Sequence, residues 1–554
     1  MPVNGAAYGA VARALRTPDR GEMSADVPRR WRARAGALLL PALLLLLPLA
    51  FYLALFQPAT LDIGNVGWLI RGTDNGENAL GAHAYWHDVH AGASLRTRLL
   101  NAPDGVPVLY TDSNPLAVLL AKPFAALLPA DAQLVGPVLL LNLMLQALFA
   151  WALLRRHAPG PLALCAGVVL LAFPPTLANR FIHVNLMAHW TILAALWLFV
   201  DPARRDRWRW WAALIVATAL IHSYLLVMVG ALWGAALLDR FSRGSWPVRG
   251  QVLLAGTAML AIVAVLARWL GVGDQMPTEF FGAFAVPIDA LWNPHAGGLS
   301  RLAGQGPYDQ AQWSEGFQYM GAGGLALVAV ALLIARRHAA PAAMRETTDR
   351  LRALVPALGL LGLLSIWSAP LPAAVLHVLD PVRASGRLFW PIGYVLVFVA
   401  LLAVYRLPAR YAGPLLALLV TVQAIDLAPM ARAIRTTSAD AASHRLWRRT
   451  LDPRWEMLIG RARSVAFMPG QPPRDLSLFQ EVAWRAIDAG IPVTSVYAAR
   501  ISRQTAARLR GERQAFDRGA LVPGRMYVLL PTASPPAGTT PLLLDGVPVI
   551  APRP

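Results

Sequence analysis

Apolar residues along this chain gather in long runs, separated by short basic segments or longer polar ones. A helix needs about 20 consecutive apolar residues to cross a hydrocarbon core, and somewhat fewer where one end faces protein or a water-filled cavity. By that test the spans fall at 37–56, 133–154, 161–175, 187–200, 212–221, 224–238, 252–270, 319–335, 353–367, 388–405 and 412–427, about eleven in all. The stretch 212–238 is divided because Arg204, Arg205, Arg207 and Arg209 precede it and Arg240, Arg243 and Arg249 follow it. Basic flanks on both sides put both ends in the cytoplasm, so the chain turns back at His222-Ser223. The run 116–128 carries Lys122 and has prolines at its edges, and reads as an interfacial or re-entrant segment. Beyond 430 the pattern changes. Strand-like runs at 464–468, 493–497, 525–530 and 541–550 alternate with an amphipathic stretch at 476–489, with turns at Pro523-Gly524 and Asp545-Gly546. The reading is an α-helical polytopic membrane protein with a small C-terminal α/β domain. It has a cytoplasmic tail at 1–36, a transmembrane domain at 37–430 with large outer loops at 57–132 and 271–318, and an extracytoplasmic domain at 431–554.

Composition sharpens this. Hydrophobic residues make up 56% of the 554 and charged ones only 15%, against about 25% charged in soluble proteins. The net charge of +19 would suit a nucleic-acid partner if the arginines lined one soluble face, but they sit in clusters between apolar runs. No nucleic-acid partner is expected, and a lipid bilayer is. The inner segments 1–36, 155–160, 201–211, 239–251, 336–352 and 406–411 hold 23 Lys and Arg, whereas the outer loops 57–132, 176–186, 271–318 and 368–387 hold 8. That asymmetry predicts a bacterial inner-membrane protein with its N-terminus cytoplasmic and its C-terminal domain periplasmic. The first span is too long for a cleaved signal and reads as an uncleaved anchor. The single Cys165 permits no intrachain disulfide and sits in an apolar run, where it reads as packing rather than as a nucleophile.

Ionisable residues near a membrane are costly and therefore point to function. The first outer loop carries Asp74, Glu77, His83, His87, Asp88, His90 and Asp104, then Tyr110-Thr111-Asp112-Ser113-Asn114-Pro115. Asp74 lies in a turn-rich setting, between Arg71-Gly72-Thr73 and Asn75-Gly76. His83, His87 and His90 have spacings that suit a metal face on a helix, but no Cys or Glu completes a ligand set. The preferred reading there is an amphipathic helix lying on the membrane. Farther on come Arg180, His183 and His189 in 179–190, then His222 and Tyr224, then Glu315 and Tyr319 in 312–321, and Arg387 beside Phe389 and Trp390. Arg387 at the outer mouth of a helix suits a phosphate or carboxylate, or simply snorkels to the interface. All these clusters fall on the outer side of a topology drawn from arginine counts and span lengths alone. A transporter would place polar groups at the midplane, where the spans carry few, chiefly Asn142 and Gln146.

In this order the clusters resemble a family of bacterial multi-pass membrane proteins, family 6311 of the domains of unknown function, which looks like a member of the GT-C glycosyltransferase superfamily. The resemblance rests on the Asp74 loop, Tyr110 to Leu116, Asn179-Arg180 to His189-Trp190, His222-Ser223-Tyr224, Glu315 to Gly321, Ser385 to Pro391 and Gln423 to Asp426. It implies a polyprenyl-phosphate-linked sugar donor and an acidic base in the first outer loop. By position, Asp74 becomes the candidate base and Arg387 a candidate for the lipid phosphate. The loop after Asp74 is longer than the family spacing, which leaves Glu77 or Asp88 as alternatives, and Ser223 stands where the family tends to Pro.

The expected activity is transfer of a sugar on the outer face to an envelope glycan, lipid or protein acceptor. The expected catalytic residues are Asp74 and Asp112, and the expected substrate-binding residues are His83, Arg180, His183, His189, His222, Tyr224, Glu315, Tyr319 and Arg387. No cofactor is required by the sequence; a divalent cation such as Mg or Mn bridging the phosphate would need two carboxylates, Asp74 with Asp112 or Glu315. The rival readings are a transporter or flippase of a lipid-linked precursor and a non-catalytic envelope scaffold.

Overall fold

Every one of the eleven apolar runs contains a helix in the structure, a computed structural model that describes residues 42–91, 95–273, 275–278, 280–294, 298–304 and 315–553. The basic tail 1–36, the start of the first span and Gln312, Trp313 and Ser314 lie outside the described residues. Among the described residues, five helices are long and apolar enough to cross a membrane: Val135–Leu154, Ser223–Arg243, Trp246–Trp269, Ser385–Val404 and Ala409–Ser443. The others are shorter, Pro161–Ala172 and Trp190–Val200 among them.

Helix Ala409–Thr436 packs on Pro161–Ala172 and on Gly321–Arg337, and Val135–Leu154 packs on Pro161–Ala172 and Trp190–Val200. Helix Trp246–Trp269 lies at the edge, with only Val252 and Met259 buried and with Leu254, Leu260 and Val265 turned outward. An apolar outer surface of this kind is stable against lipid and not against water.

The stretch 212–238 is divided. Helix Trp208–Ala219 ends before Ile221, and Ser223–Arg243 begins after His222, whose Nδ1 accepts the Tyr224 backbone N–H at 3.2 Å as an N-cap. A helix start leaves backbone N–H groups unpaired, and the imidazole satisfies one of them. The 116–128 run forms helix Pro115–Ala121 and a 3-10 segment, Lys122–Leu127. Lys122 folds back to donate to the Tyr85 and Trp86 carbonyls at 2.8 and 3.2 Å, while Leu120, Phe124 and Leu127 stay exposed.

The loop 57–132 contains a short antiparallel pair, β1 (Arg96–Thr97) and β2 (Val106–Pro107). The C-terminal domain holds a four-stranded mixed sheet of β3 (Ser464–Met468), β4 (Arg525–Leu529), β5 (Leu542–Leu544) and β6 (Val547–Ile550) in the order β3-β4-β6-β5. Strands β3 and β4 are parallel, and β5 and β6 form a hairpin. Asp545 and Gly546 both have positive φ at its tip, the conformation that a two-residue hairpin turn demands. Helix Leu476–Asp488 matches the amphipathic stretch. The expected strand at 493–497 is absent: Val493 makes a single parallel bridge to Val465, and its N–H then donates to the Leu99 carbonyl at 2.8 Å in the loop 57–132.

That diversion is one of several ties between the domain and the loop. Gln480, fully buried, accepts from the Gly72 N–H and donates to the Thr73 carbonyl, both at 2.8 Å. Arg508 pairs with Asp104 at 2.7 Å. One apolar core runs without a break from the helices into the C-terminal sheet.

Candidate active site

Asp74 opens a helix, Asp74–His87, where the sequence suggested a turn. Thr73 caps it by accepting the Gly76 N–H at 3.2 Å, and Asp74 and Glu77 occupy the first turn, where the positive end of the helix dipole favours carboxylates. Small residues let this helix press against its neighbours. A Cβ on Gly81 would lie 2.0 Å from the Thr111 hydroxyl oxygen, so Gly81 is what admits the Tyr110–Pro115 segment.

Asp112 sits in that segment with φ +55, a left-handed conformation that Asp tolerates better than most residues. Its carbonyl accepts from Asn78 Nδ2 at 2.6 Å and from Asn185 Nδ2 at 2.7 Å. These two amides hold the backbone so that the carboxylate meets His183. The His183 ring lies between the two acids: Nε2 is 3.5 Å from Asp74 Oδ2, and Nδ1 is 3.4 Å from Asp112 Oδ2. All three keep some exposure, 19% for His183 and 25% for each carboxylate.

The turn bearing His183 also bears Arg180, since the His183 N–H donates to the Arg180 carbonyl at 2.8 Å. Arg180 Nη1 reaches Glu315 Oε2 at 2.6 Å. Arg387 grips the same carboxylate with two bonds of 2.5 Å, from Nε to Oε2 and from Nη2 to Oε1. Arg387 reaches Glu315 because Gly386 and Gly316 touch: a Cβ on Gly386 would lie 2.8 Å from the Gly316 Cα and 2.5 Å from the Phe284 carbonyl. The Arg387 guanidinium also lies over the Tyr224 ring, 4.6 Å from its centroid, and the Tyr224 hydroxyl accepts the Ala384 N–H at 2.7 Å. Burial alone would push the Glu315 carboxyl up, but the two guanidiniums outweigh it and hold Glu315 ionised well below the usual carboxylate range. Two cations share one anion, so this trio keeps a net positive charge.

The 180–183 turn joins the acidic trio to the arginine trio, and His222 adjoins them with its ring centroid 5.6 Å from that of Tyr224, so that Asp74, Asp112, Arg180, His183, His222, Tyr224, Glu315 and Arg387 form one cluster. Three expected site residues lie elsewhere. His83, nine residues beyond Asp74 on its helix, pairs with Asp488. His189 is buried against Trp390, with its Nδ1 2.9 Å from the Tyr394 hydroxyl. Tyr319 donates to Asp426 Oδ2 at 2.8 Å and lines an apolar cleft with Leu170, Leu171, Trp390 and Tyr394. Asp88, an alternative base by spacing, instead accepts from Thr97, Arg98 and His90 and organises its own loop.

Two participants were not singled out by sequence as partners of Asp74. Tyr497, from the C-terminal domain, donates to Asp74 Oδ1 at 3.0 Å. Burial and the nearby Asp74 carboxylate push its phenol up, which keeps it a donor. Glu77, a base alternative by spacing, is only 2% exposed, and neither carboxyl oxygen has a hydrogen-bond partner among the described residues. Burial first, then Asp74 and Asp112, push its pKa well above the usual carboxylate range, and it lies behind the partly exposed pair. Nothing in the sequence near 497 announced Tyr497, which is 423 positions from Asp74.

Chemically, the cluster offers partly exposed carboxylates beside a buried cationic group, on a bundle of apolar helices that carries an α/β domain on one face. That defines a class: a helical protein with helices long and apolar enough to span a membrane, whose polar site is shared between an interhelical loop and a terminal domain. The chain belongs to the family described as Domain of unknown function (DUF6311), which it matches over residues 45–428, and its tail matches the DUF6311 C-terminal domain over 454–552. No curated protein matches the chain at a significant level.

Proposed function

We propose that this protein is a membrane glycosyltransferase of GT-C type that takes a sugar from a polyprenyl phosphate on the periplasmic face of the inner membrane and gives it to an envelope glycan, lipid or protein. The observation that carries this reading is the 180–183 turn, which puts the partly exposed Asp74 and Asp112 beside the buried Arg180–Glu315–Arg387 trio. An inverting transfer asks for these two functions side by side: a carboxylate to take the acceptor's proton, and fixed positive charge where the leaving phosphate develops its own.

In this mechanism Asp74 or Asp112 accepts the proton of the acceptor hydroxyl as its oxygen attacks the anomeric carbon. The bond from that carbon to the donor phosphate breaks, and its electron pair leaves with the phosphate toward the arginines. Tyr497 holds one oxygen of Asp74, leaving the other for the acceptor or His183. The apolar cleft bordered by Trp390 and Tyr394, at the start of the helix that follows Arg387, supports a hydrocarbon donor tail on this side. Eleven crossings with the C-terminal domain outside would place the cluster at the outer surface, where such donors are exposed.

The test is transfer by the purified protein from labelled polyprenyl-phosphate sugars to envelope acceptors. Transfer that disappears in both Asp74→Asn and Arg387→Ala supports the reading. Movement of the lipid-linked sugar across vesicles without any transfer would replace it with a flippase.

A further inference from the structure

We propose that His83, His87 and Asp488 form a zinc-type metal site that staples the C-terminal domain to the helix that begins at Asp74. His83 and His87 are four apart on helix Asp74–His87 and therefore share a face, with ring centroids 4.1 Å apart. Helix Leu476–Asp488 of the C-terminal domain presents a matching face, Trp484 and Asp488, also four apart. Trp484 stacks on His83 at 3.7 Å and 13°, and Asp488 Oδ1 lies 2.8 Å from His83 Nε2. One donor atom from each of the three residues lies within 4.8 Å of the others. Tetrahedral zinc with bonds of about 2.0–2.1 Å sets its nitrogen and oxygen ligands about 3.3 Å apart, so closing the site takes only small movements. Asp488 is 41% exposed and His87 is exposed, and both are free to make them.

One further feature points to a ligand rather than to a packed pair. His87 Nδ1 lies 3.0 Å from the His83 carbonyl, which makes it the protonated nitrogen and leaves Nε2 with its lone pair outward. A ring N–H anchored on a backbone carbonyl is the usual second-shell support of a metal-ligating histidine. Two imidazoles and one carboxylate suit zinc and its neighbours better than magnesium or calcium, which prefer oxygen ligands throughout. Three protein ligands leave a fourth position for water on the exposed side. A metal here would lock the domain that supplies Tyr497 onto the helix that supplies Asp74, yet the site stands apart from the acidic cluster and does not depend on the proposed chemistry.

The experiment uses the full chain in detergent, purified through a tag without histidine and stripped with a chelator. Zinc is titrated against a chromogenic competitor, and cobalt is added for its visible absorption. The expected result is one equivalent of zinc, cobalt bands of tetrahedral intensity, and a rise in melting temperature on zinc addition. Affinity should fall by roughly tenfold or more in His87→Ala and in Asp488→Asn and stay unchanged in His90→Ala. Both altered side chains are exposed, so the metal-free variants should melt like the metal-free wild type. Absence of stoichiometric binding by the wild type, binding unaffected by either variant, or equal competition by magnesium would overturn the proposal.

Discussion

The two halves of the site differ in how tightly they are held. The arginine half is buried, with contacts of 2.5–2.6 Å around a single carboxylate, while the acidic half keeps a fifth to a quarter of its side-chain surface open, with contacts of 3.4–3.5 Å to one imidazole. A group that must exchange protons with an incoming molecule needs access and loose partners. A group that stabilises charge works best when it is oriented before the charge arrives. Under the proposed transfer, this difference matches reaction to the acidic half and preorganisation to the arginine half, and each assignment can be broken.

The largest expected effect lies in the acidic half. Asp74→Asn or Asp112→Asn should lower sugar transfer by roughly 10²–10⁴-fold, the range for loss of a general base, with little change in melting temperature. Both variants at full activity would remove the acidic half from the chemistry. In the arginine half the effect should be on folding. Glu315→Gln leaves two buried guanidiniums without their anion and should cost about 3–5 kcal/mol, read from denaturant unfolding in mild detergent. A variant as stable as the wild type would mean that the trio is not preorganised.

The two buried glutamates should then differ in the sign of their pH dependence. Glu315 is depressed, so its contribution is present above the unfolded carboxyl value of about 4.3 and is lost as pH falls toward its folded value. Glu77 is raised, so its contribution is present below about 4.3 and is lost as pH rises through its folded value. Melting curves of Glu77→Gln from pH 5 to 8 should therefore lose a downward slope that the wild type shows, and identical slopes would mean that Glu77 is ionised in the fold. The smallest effect should come from Tyr497→Phe, which removes one hydrogen bond to Asp74 and should cost about 1 kcal/mol in stability. A loss well beyond that would make Tyr497 a fixed part of the acidic half.

How much of this was readable in the chain varied with the range of the interaction. The run 464–468 coincides with strand Ser464–Met468, and Asp545-Gly546 forms the expected hairpin turn, because both depend on neighbours in sequence. The break at His222 was readable from flanking charge, and the imidazole that caps the next helix sits at that break. The run 493–497 has strand composition and forms no strand, because its backbone is recruited by Leu99, some 400 positions earlier. His83 and His87 had the spacing of a face, yet the structure sets that face against a protein helix where the sequence suggested a membrane surface. Glu77, Asp88 and Asp74 were indistinguishable as acids in one loop. Glu77 and Asp88 are both buried and differ in partners, none for Glu77 among the described residues and three donors for Asp88, while Asp74 keeps partial exposure.

The sequence by itself determined that each apolar run carries a helix and that the tail is α/β in character, because apolar periodicity acts locally. Tertiary structure alone decided which acids share one imidazole, that two arginines share one glutamate, and that the C-terminal domain reaches Asp74 with Tyr497. Those outcomes depend on backbones passing within contact distance, at Gly81 against Thr111 and at Gly386 against Gly316, and no local preference encodes which segments will meet there.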